Sequence, residues 1–226
     1  MPYRSITNFT AAILFLLTAS LLPGADLSTY RGFRFGSSLT AAAAQAGANP
    51  SDVRLVYERP ALIQEVNWLL RPTSVVGKPD PVREGLLSFL NGQLYRIEVT
   101  YDRYQVEGMT PDDMILAISE TYGAATRPNV EIPYHSNYAE TAAVLARWED
   151  SKFSYDLVRT GDKASFVLVL YSKVLNPLAQ AAIKEAVRLE VLMAPQRAKA
   201  AEQKRAEDDR LAMEKARVEN KTNFRP

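Results

Sequence analysis

The feature that most constrains this chain is a β-hairpin signal in residues 86–102. At its centre is Asn91-Gly92, a pair that readily adopts the positive φ angles of a two-residue turn, because glycine has no Cβ and asparagine tolerates the left-handed region. After the turn, apolar and polar residues alternate with the period of a half-buried strand. The apolar positions are Tyr95, Ile97, Val99 and Tyr101, and the polar ones are Arg96, Glu98 and Thr100. The middle of the chain is therefore predicted to form a sheet.

Further strand patterns lie on both sides of this hairpin. Alternating or apolar runs predict strands at residues 33–35, 53–57, 62–70, 141–148, 153–160 and 165–172. For the short apolar run at 62–70, a helix is the alternative. A short helix is predicted to begin at Ser37 or Ser38 and to end at Gly47, because hydroxyl side chains cap helix starts and glycine commonly follows helix ends. Strands mixed with separate helices predict the α+β fold class.

The second half of the chain carries two more helix signals. Thr110, followed by a proline, predicts the start of a helix that ends at Gly123. Residues 124–140 contain two prolines and are predicted to form a long loop. A last helix is predicted from residue 176 to residue 194, capped by Asn176 and broken by Pro195, because proline removes a backbone donor and clashes with the preceding turn.

The N-terminus is typical of a secretory signal. Arg4 precedes the apolar residues 11–22, and a Pro-Gly-Ala sequence follows. The apolar run has about 12 residues, whereas about 20 are needed to span a bilayer. We therefore predict that residues 1–25 are removed, that the mature protein has no stable membrane span, and that its location is periplasmic or secreted. The competing interpretation is an uncleaved membrane anchor.

The mature chain is predicted to contain two α+β units and a tail. The first unit covers residues 26–106, and the second covers residues 107–195 with its closing helix. Residues 196–226 hold nine basic and six acidic residues and few large apolar ones. Such a segment buries too little apolar surface to join a core, so it is predicted to be a charged extension that is either helical or disordered.

The two predicted units resemble each other and a known kind of envelope protein. The segment from Phe35-Gly-Ser-Ser-Leu to Gly47 is similar to the segment from Glu107-Gly-Met-Thr-Pro to Tyr122-Gly123, and strands follow each. Gly-Met-Thr before a short helix resembles the unit of the small outer-membrane assembly lipoproteins. A tandem pair of such units resembles beta-lactamase inhibitory protein. The resemblance covers residues 30–172 and implies a non-catalytic binding protein. The lipoproteins' anchoring cysteine is lacking, because the chain has none.

Composition excludes several kinds of chemistry. The chain has 27 basic and 26 acidic residues, so no overall field attracts nucleic acid. With no cysteine and one histidine, thiolate catalysis and a multi-histidine zinc site are excluded within the chain. Asp112 and Asp113 are about 100° apart on a helix and complement its dipole instead of forming a catalytic pair. No cofactor and no metal site are predicted.

The predicted binding residues are Tyr134, His135 and Tyr138, in the polar loop before residue 140. The two tyrosines are expected to be exposed contact residues, because aromatic side chains often dominate protein interfaces. The sequence thus favours an exported, non-catalytic protein-binding module whose partner is another envelope protein. Two alternatives remain: a secreted hydrolase that uses His135 with a nearby hydroxyl, and a carrier of a small ligand between the two units. The oligomeric state is left open.

Overall fold

The structure is a computed structural model that describes residues 25–70, 80–134, 140–160, 165–223 and 225. The predicted signal segment therefore lies outside the described residues, apart from Ala25. The helices are α1 (Leu39–Ala46), α2 (Pro111–Tyr122) and α3 (Leu175–Asn223). The strands are β1 (Thr29–Tyr30), β2 (Phe33–Arg34), β3 (Val53–Tyr57), β4 (Ile63–Leu69), β5 (Val82–Leu90), β6 (Gln93–Tyr101), β7 (Glu131–Tyr134), β8 (Glu140–Glu149), β9 (Phe153–Arg159) and β10 (Phe166–Ser172). The α+β class is confirmed.

Eight strands form one antiparallel sheet in the order β3-β4-β5-β6-β10-β9-β8-β7. Each half is a four-strand meander preceded in the chain by a short helix, α1 before β3–β6 and α2 before β7–β10. The last strands of the two meanders, β6 and β10, pair at the centre and join the halves into a single sheet. Strands β1 and β2 form a separate small hairpin.

Local sequence explains the boundaries of the main elements. Asn91 and Gly92 have φ angles of 49° and 78° and connect β5 to β6, as the hairpin signal predicts. Ser38 caps α1, and the backbone at Gly47 is left-handed at its end. The Thr110 Oγ1 accepts a hydrogen bond from the Asp113 backbone N–H, while the Asp113 carboxylate accepts one from the Thr110 N–H. This reciprocal pair starts α2.

The main core lies on the first face of the sheet, which we define as the face covered by α1, α2 and the β1–β2 hairpin. It contains buried residues of all three covering elements, including Phe33, Ala42 and Ile118. Tyr155 of β9 holds the start of the described chain in place, because its hydroxyl lies within hydrogen-bond distance of two carbonyls, those of Leu27 and Thr29, at 3.1 and 2.9 Å. This first face holds most of the buried apolar residues of the described chain.

The second face is covered by α3 on one half and by the β7–β8 region on the other. Ala179 and Ile183 of α3 pack on apolar residues of β4, β5 and β6. Ile132 of β7 and Ala142 of β8 pack on Val169 of β10, so the end of the sheet curls back over its own face. A register shift in β8 between residues 144 and 146 marks the bend, since bulges bend strands.

Three details differ from the sequence expectations. The predicted loop at residues 124–140 contains strand β7. Arg96 and Glu98, expected on a solvated side of β6, are almost fully buried, because the curled β7–β8 region covers them. The last helix does not start at an Asn176 cap: it begins at Leu175, whose N–H donates to the Ser172 Oγ at 3.2 Å.

The prediction that Pro195 ends the last helix is also wrong, because α3 continues through it to Asn223. A proline inside a helix removes the bond to the carbonyl four residues earlier, here that of Val191. Both residues are exposed, so water can satisfy that carbonyl. The predicted charged extension is accordingly helical through residue 223, and the disordered alternative does not apply there.

Candidate functional site

The three residues predicted to bind a partner are only partly within the described structure. His135 and Tyr138 lie outside the described residues. Tyr134 is the last residue of β7 and is only 6% exposed, so the expectation that it is an exposed contact residue is wrong. Its hydroxyl donates a hydrogen bond to the Glu140 carboxylate at 2.7 Å, across the paired ends of β7 and β8. Its burial follows from the curl of these strands over the sheet, which the loop composition did not reveal.

A row of polar side chains runs across the second face, and Arg96, near its middle, lies beneath this curl. Its members are register partners on six neighbouring strands, so they lie side by side. They are Arg54, Glu65, Ser88, Arg96, Tyr171 and Ser154, in the order β3, β4, β5, β6, β10 and β9. Arg96 is 1% exposed; its Nε donates to Glu98 at 2.8 Å, and its Nη2 donates to the carbonyl of Pro133 in β7. Arg96 therefore fastens β7 to the centre of the sheet.

A second buried ionic cluster lies next to this row. The Arg147 guanidinium donates two hydrogen bonds of 2.6 Å to the two carboxylate oxygens of Asp156. The same carboxylate accepts hydrogen bonds from Ser154 at 3.0 Å and from Tyr171 at 3.1 Å. These contacts, above all the hydrogen bond to Asp156, raise the pKa of Arg147. Each acidic oxygen is thus occupied by protein donors.

These ionic groups form structural contacts and do not resemble catalytic machinery. A general acid or base needs a proton-bearing group that can reach a substrate, whereas Asp156 is enclosed by its own donors. In the described part of the chain, no three acidic or histidine side chains are grouped so as to hold a metal ion. The hydrolase hypothesis rested on His135, which lies outside the described residues.

A different surface stands out at the outer edge of the sheet. Strand β3 is an edge strand, and no described backbone group pairs with its outer side. Leu55, in the middle of β3, is 54% exposed. The opposite edge, β7, contains Pro133, which has no N–H to donate and whose carbonyl is taken by Arg96. Of the two sheet edges, β3 is therefore the one able to pair with another strand.

A groove lies on each side of the β3 edge. The first, of about 400 Å³, lies between α1 and the sheet and is lined largely by apolar residues, including Leu39, Ala43 and Val53. The second, of about 330 Å³, lies between β3 and α3 and includes Leu55 and Met193. The second groove also carries charged residues, namely Glu58, Arg59, Glu190 and Arg197. We call β3 with its two flanking grooves the edge site.

The edge site was not predicted from the sequence. The alternation of Val53, Leu55 and Tyr57 correctly predicts a strand there. Whether that strand is central or at an edge depends on the strand order, which rests on pairings between segments far apart in sequence, such as β6 with β10. The composition of β3, Val-Arg-Leu-Val-Tyr, gives no local signal of an edge position.

In the part of the chain that the structure describes, no helix has both the length and the apolar character required to cross a membrane. Comparisons with family models, with curated proteins and with solved structures found no match for this chain. The resemblance to tandem envelope binding proteins therefore stays a prediction.

Proposed function

We propose that this chain is an exported envelope protein that works without catalysis, by binding an extended segment of another polypeptide at the edge site. The observation that carries the proposal is the open edge of β3 between two grooves. An edge strand with free N–H and C=O groups is a template for strand addition. In that binding mode, main-chain hydrogen bonds supply affinity, and pockets for alternate side chains supply specificity.

The two grooves suit alternate side chains of an added strand. Successive residues of a strand point to opposite faces of a sheet. One set of side chains would therefore enter the apolar groove beside α1, and the other set would enter the groove beside α3. The charged residues of the second groove favour a ligand with polar or charged residues at the positions next to its apolar ones.

Export is the second part of the proposal. It is supported by the sequence of residues 1–25, in which a basic residue, a short apolar run and small residues follow one another. The folded core begins directly afterwards, because Leu27 is already buried. Cleavage near Ala25 would leave the whole described fold in the mature protein. The repetition of a helix followed by a four-strand meander supports the resemblance to tandem envelope binders, which are non-catalytic.

Selection from a random peptide display library tests the binding role. The mature chain from residue 26 is expected to enrich peptides with alternating apolar residues. Leu55→Lys should abolish their binding, because a lysine on an edge strand opposes strand addition. Leu116→Lys is the matched control, since Leu116 is 67% exposed on α2 and away from β3.

Two outcomes contradict the proposal. One is the enrichment of peptides whose binding is equal in both variants, which would place the binding surface elsewhere. The other is the failure of any peptide to bind the mature chain. Export is tested separately by sequencing the N-terminus of the native protein, and retention of Met1 in a membrane pellet would disprove it.

A further inference from the structure

Helix α3 crosses the second face of the sheet and then passes beyond the β3 edge. Its first turns touch β10 and β6. Ala179 and Ile183 then pack over the neighbouring strands, and Ala186, Leu189 and Met193 lie against β3. Every described residue after Leu189 is exposed. At 1.5 Å per residue, the part of α3 that extends past Met193, residues 194–223, is about 45 Å long.

The length of this overhang indicates the size of its partner. Neighbouring strands lie about 4.8 Å apart, so a single added strand would occupy only about a tenth of the overhang. A sheet of eight strands is about 35–40 Å wide by the same spacing. Among the described residues, the chain itself forms an eight-stranded sheet whose β3 edge is open. The sheet of a second copy, joined edge to edge at β3, is therefore about as wide as the overhang of α3 is long.

We propose that the polypeptide bound at the edge site is a second copy of this chain. This inference rests on the proposed function, because it names the partner of the same site. Antiparallel pairing of β3 with its copy creates a two-fold axis perpendicular to the sheet, and such self-complementary contacts are the usual basis of dimers. The two sheets then form a single continuous sheet of sixteen strands. Both α3 helices lie on the same side, antiparallel, and each extends over the other copy.

An exposed stripe of small and apolar residues on α3 suits this arrangement. Val187, Val191, Ala194, Ala198 and Ala201 follow one another at spacings of four and three residues. This spacing places them on one side of the helix and is the one that paired helices use in a coiled coil. The two valines are exposed in the single chain. They form an apolar flank at the point where the helix leaves its own sheet.

Charge also favours a second copy. Residues 196–226 hold nine basic and six acidic residues, a net charge of +3. Residues 26–195 hold 17 basic and 20 acidic residues, a net charge of −3. In the proposed dimer, the positive extension of each copy lies over the negative body of the other. Complementary charges guide association and weaken as salt is added.

Sedimentation equilibrium of the mature chain, residues 26–226, tests the inference. The wild type and Leu116→Lys are expected to form a concentration-dependent dimer. Leu55→Lys should raise the dissociation constant at least tenfold, since it places two like charges close together across the paired edges. Raising the salt concentration from about 0.1 to 1 M should weaken the wild-type dimer, because the Debye length falls from about 10 to 3 Å.

A cross-linking experiment locates the contact. The chain has no cysteine, so Leu55→Cys introduces a single thiol. A short bis-maleimide is expected to link two copies of this variant and to leave copies of Leu116→Cys unlinked. A wild type that stays monomeric up to several hundred micromolar contradicts the second-copy inference, as does a dimer that Leu55→Lys leaves intact.

The two proposals fail in different ways. If the wild type is monomeric but library peptides still require an intact Leu55, only the second-copy inference is overturned. If the dimer is insensitive to Leu55→Lys and no peptide depends on Leu55, the edge site itself is wrong. If both proposals hold, a selected peptide should convert the dimer into peptide-bound monomers, because both ligands compete for β3.

Discussion

At the scale of single residues, the most consequential group is the carboxylate of Asp156. It is completely buried and accepts four hydrogen bonds, two of them from the Arg147 guanidinium. A buried ion pair contributes little compared with apolar residues of the same size, but removal of one partner leaves the other charge uncompensated. The alternation of polar residues in β8 and β9 gave no indication that these charges are inside the protein.

Asp156→Asn is therefore expected to lower the free energy of unfolding by about 3 kcal/mol, near the lower end of the range for broken buried pairs. Asp112→Asn is the matched control, because Asp112 also pairs with an arginine, Arg127, at 2.6 Å but is exposed. The control should change the free energy by less than about 1 kcal/mol, the upper range for an exposed pair. Urea unfolding monitored by circular dichroism measures both values. Equal effects would show that burial does not determine the contribution of Asp156.

At the scale of secondary-structure elements, strand β5 contains a close contact that depends on a missing side chain. A Cβ atom placed on Gly85 would lie 2.6 Å from the Cε3 atom of Trp68 on the neighbouring strand β4. The Trp68 ring is itself held edge-on against Phe33, with ring centroids 5.0 Å apart. The tryptophan thus covers β5 in the space that the glycine leaves, and it links the sheet to the β1–β2 hairpin.

Gly85→Ala is expected to lower the free energy of unfolding by about 1–3 kcal/mol, the usual cost of extra volume in a packed core. Substituting the ring should relieve the clash, so Gly85→Ala should cost much less when introduced into Trp68→Leu than into the wild type. A double-mutant cycle of thermal or urea unfolding measures this coupling. Additive effects of the two substitutions would mean that the alanine does not displace the ring.

Local signals predicted most of the elements, and long-range contacts decided the rest. The Asn91-Gly92 turn and the Thr110 cap act within a few residues, so the sequence predicts them directly. Strand β7 was not predicted, because it has only four residues, one of them Pro133, and exists through its pairing with β8. The continuation of α3 past Pro195 depends on solvent access to the freed carbonyl, which no local pattern shows.

At the scale of the whole molecule, the sheet is covered on both faces. Residues of α1 and α2 cover one face, and α3 with the curled β7–β8 region covers the other. No exposed aromatic face is found among the described strands. The open surface is an edge instead. Single-sequence patterns do not specify strand order. For this reason the sequence pointed to the loop at Tyr134 as the candidate site, whereas the structure points to β3.

The second half of α3, from residue 196 onward, has a different relation to the fold from the rest of the chain. Residues 196–223 are exposed, and their ion pairs, Glu207–Arg210 and Glu214–Arg217, are local i,i+3 contacts. Such pairs contribute about 0.2–0.5 kcal/mol each and are weakened by salt. No apolar core residue lies beyond Ala186. This segment is therefore expected to continue the preceding part of α3 as a helix and to contribute nothing to the stability of the sheet.

Truncation after Pro195 should accordingly leave the folded body almost unchanged. Measured at a concentration low enough for the monomer, its melting temperature is expected to stay within a few degrees of that of the mature chain, because a change of 1 kcal/mol shifts a domain of this size by about 2–4 °C. Helix content should fall in proportion to the residues removed. The truncated chain should dimerise less tightly, since the positive extension is lost. A much lower melting temperature would instead show that residues 196–226 pack against the body of their own copy.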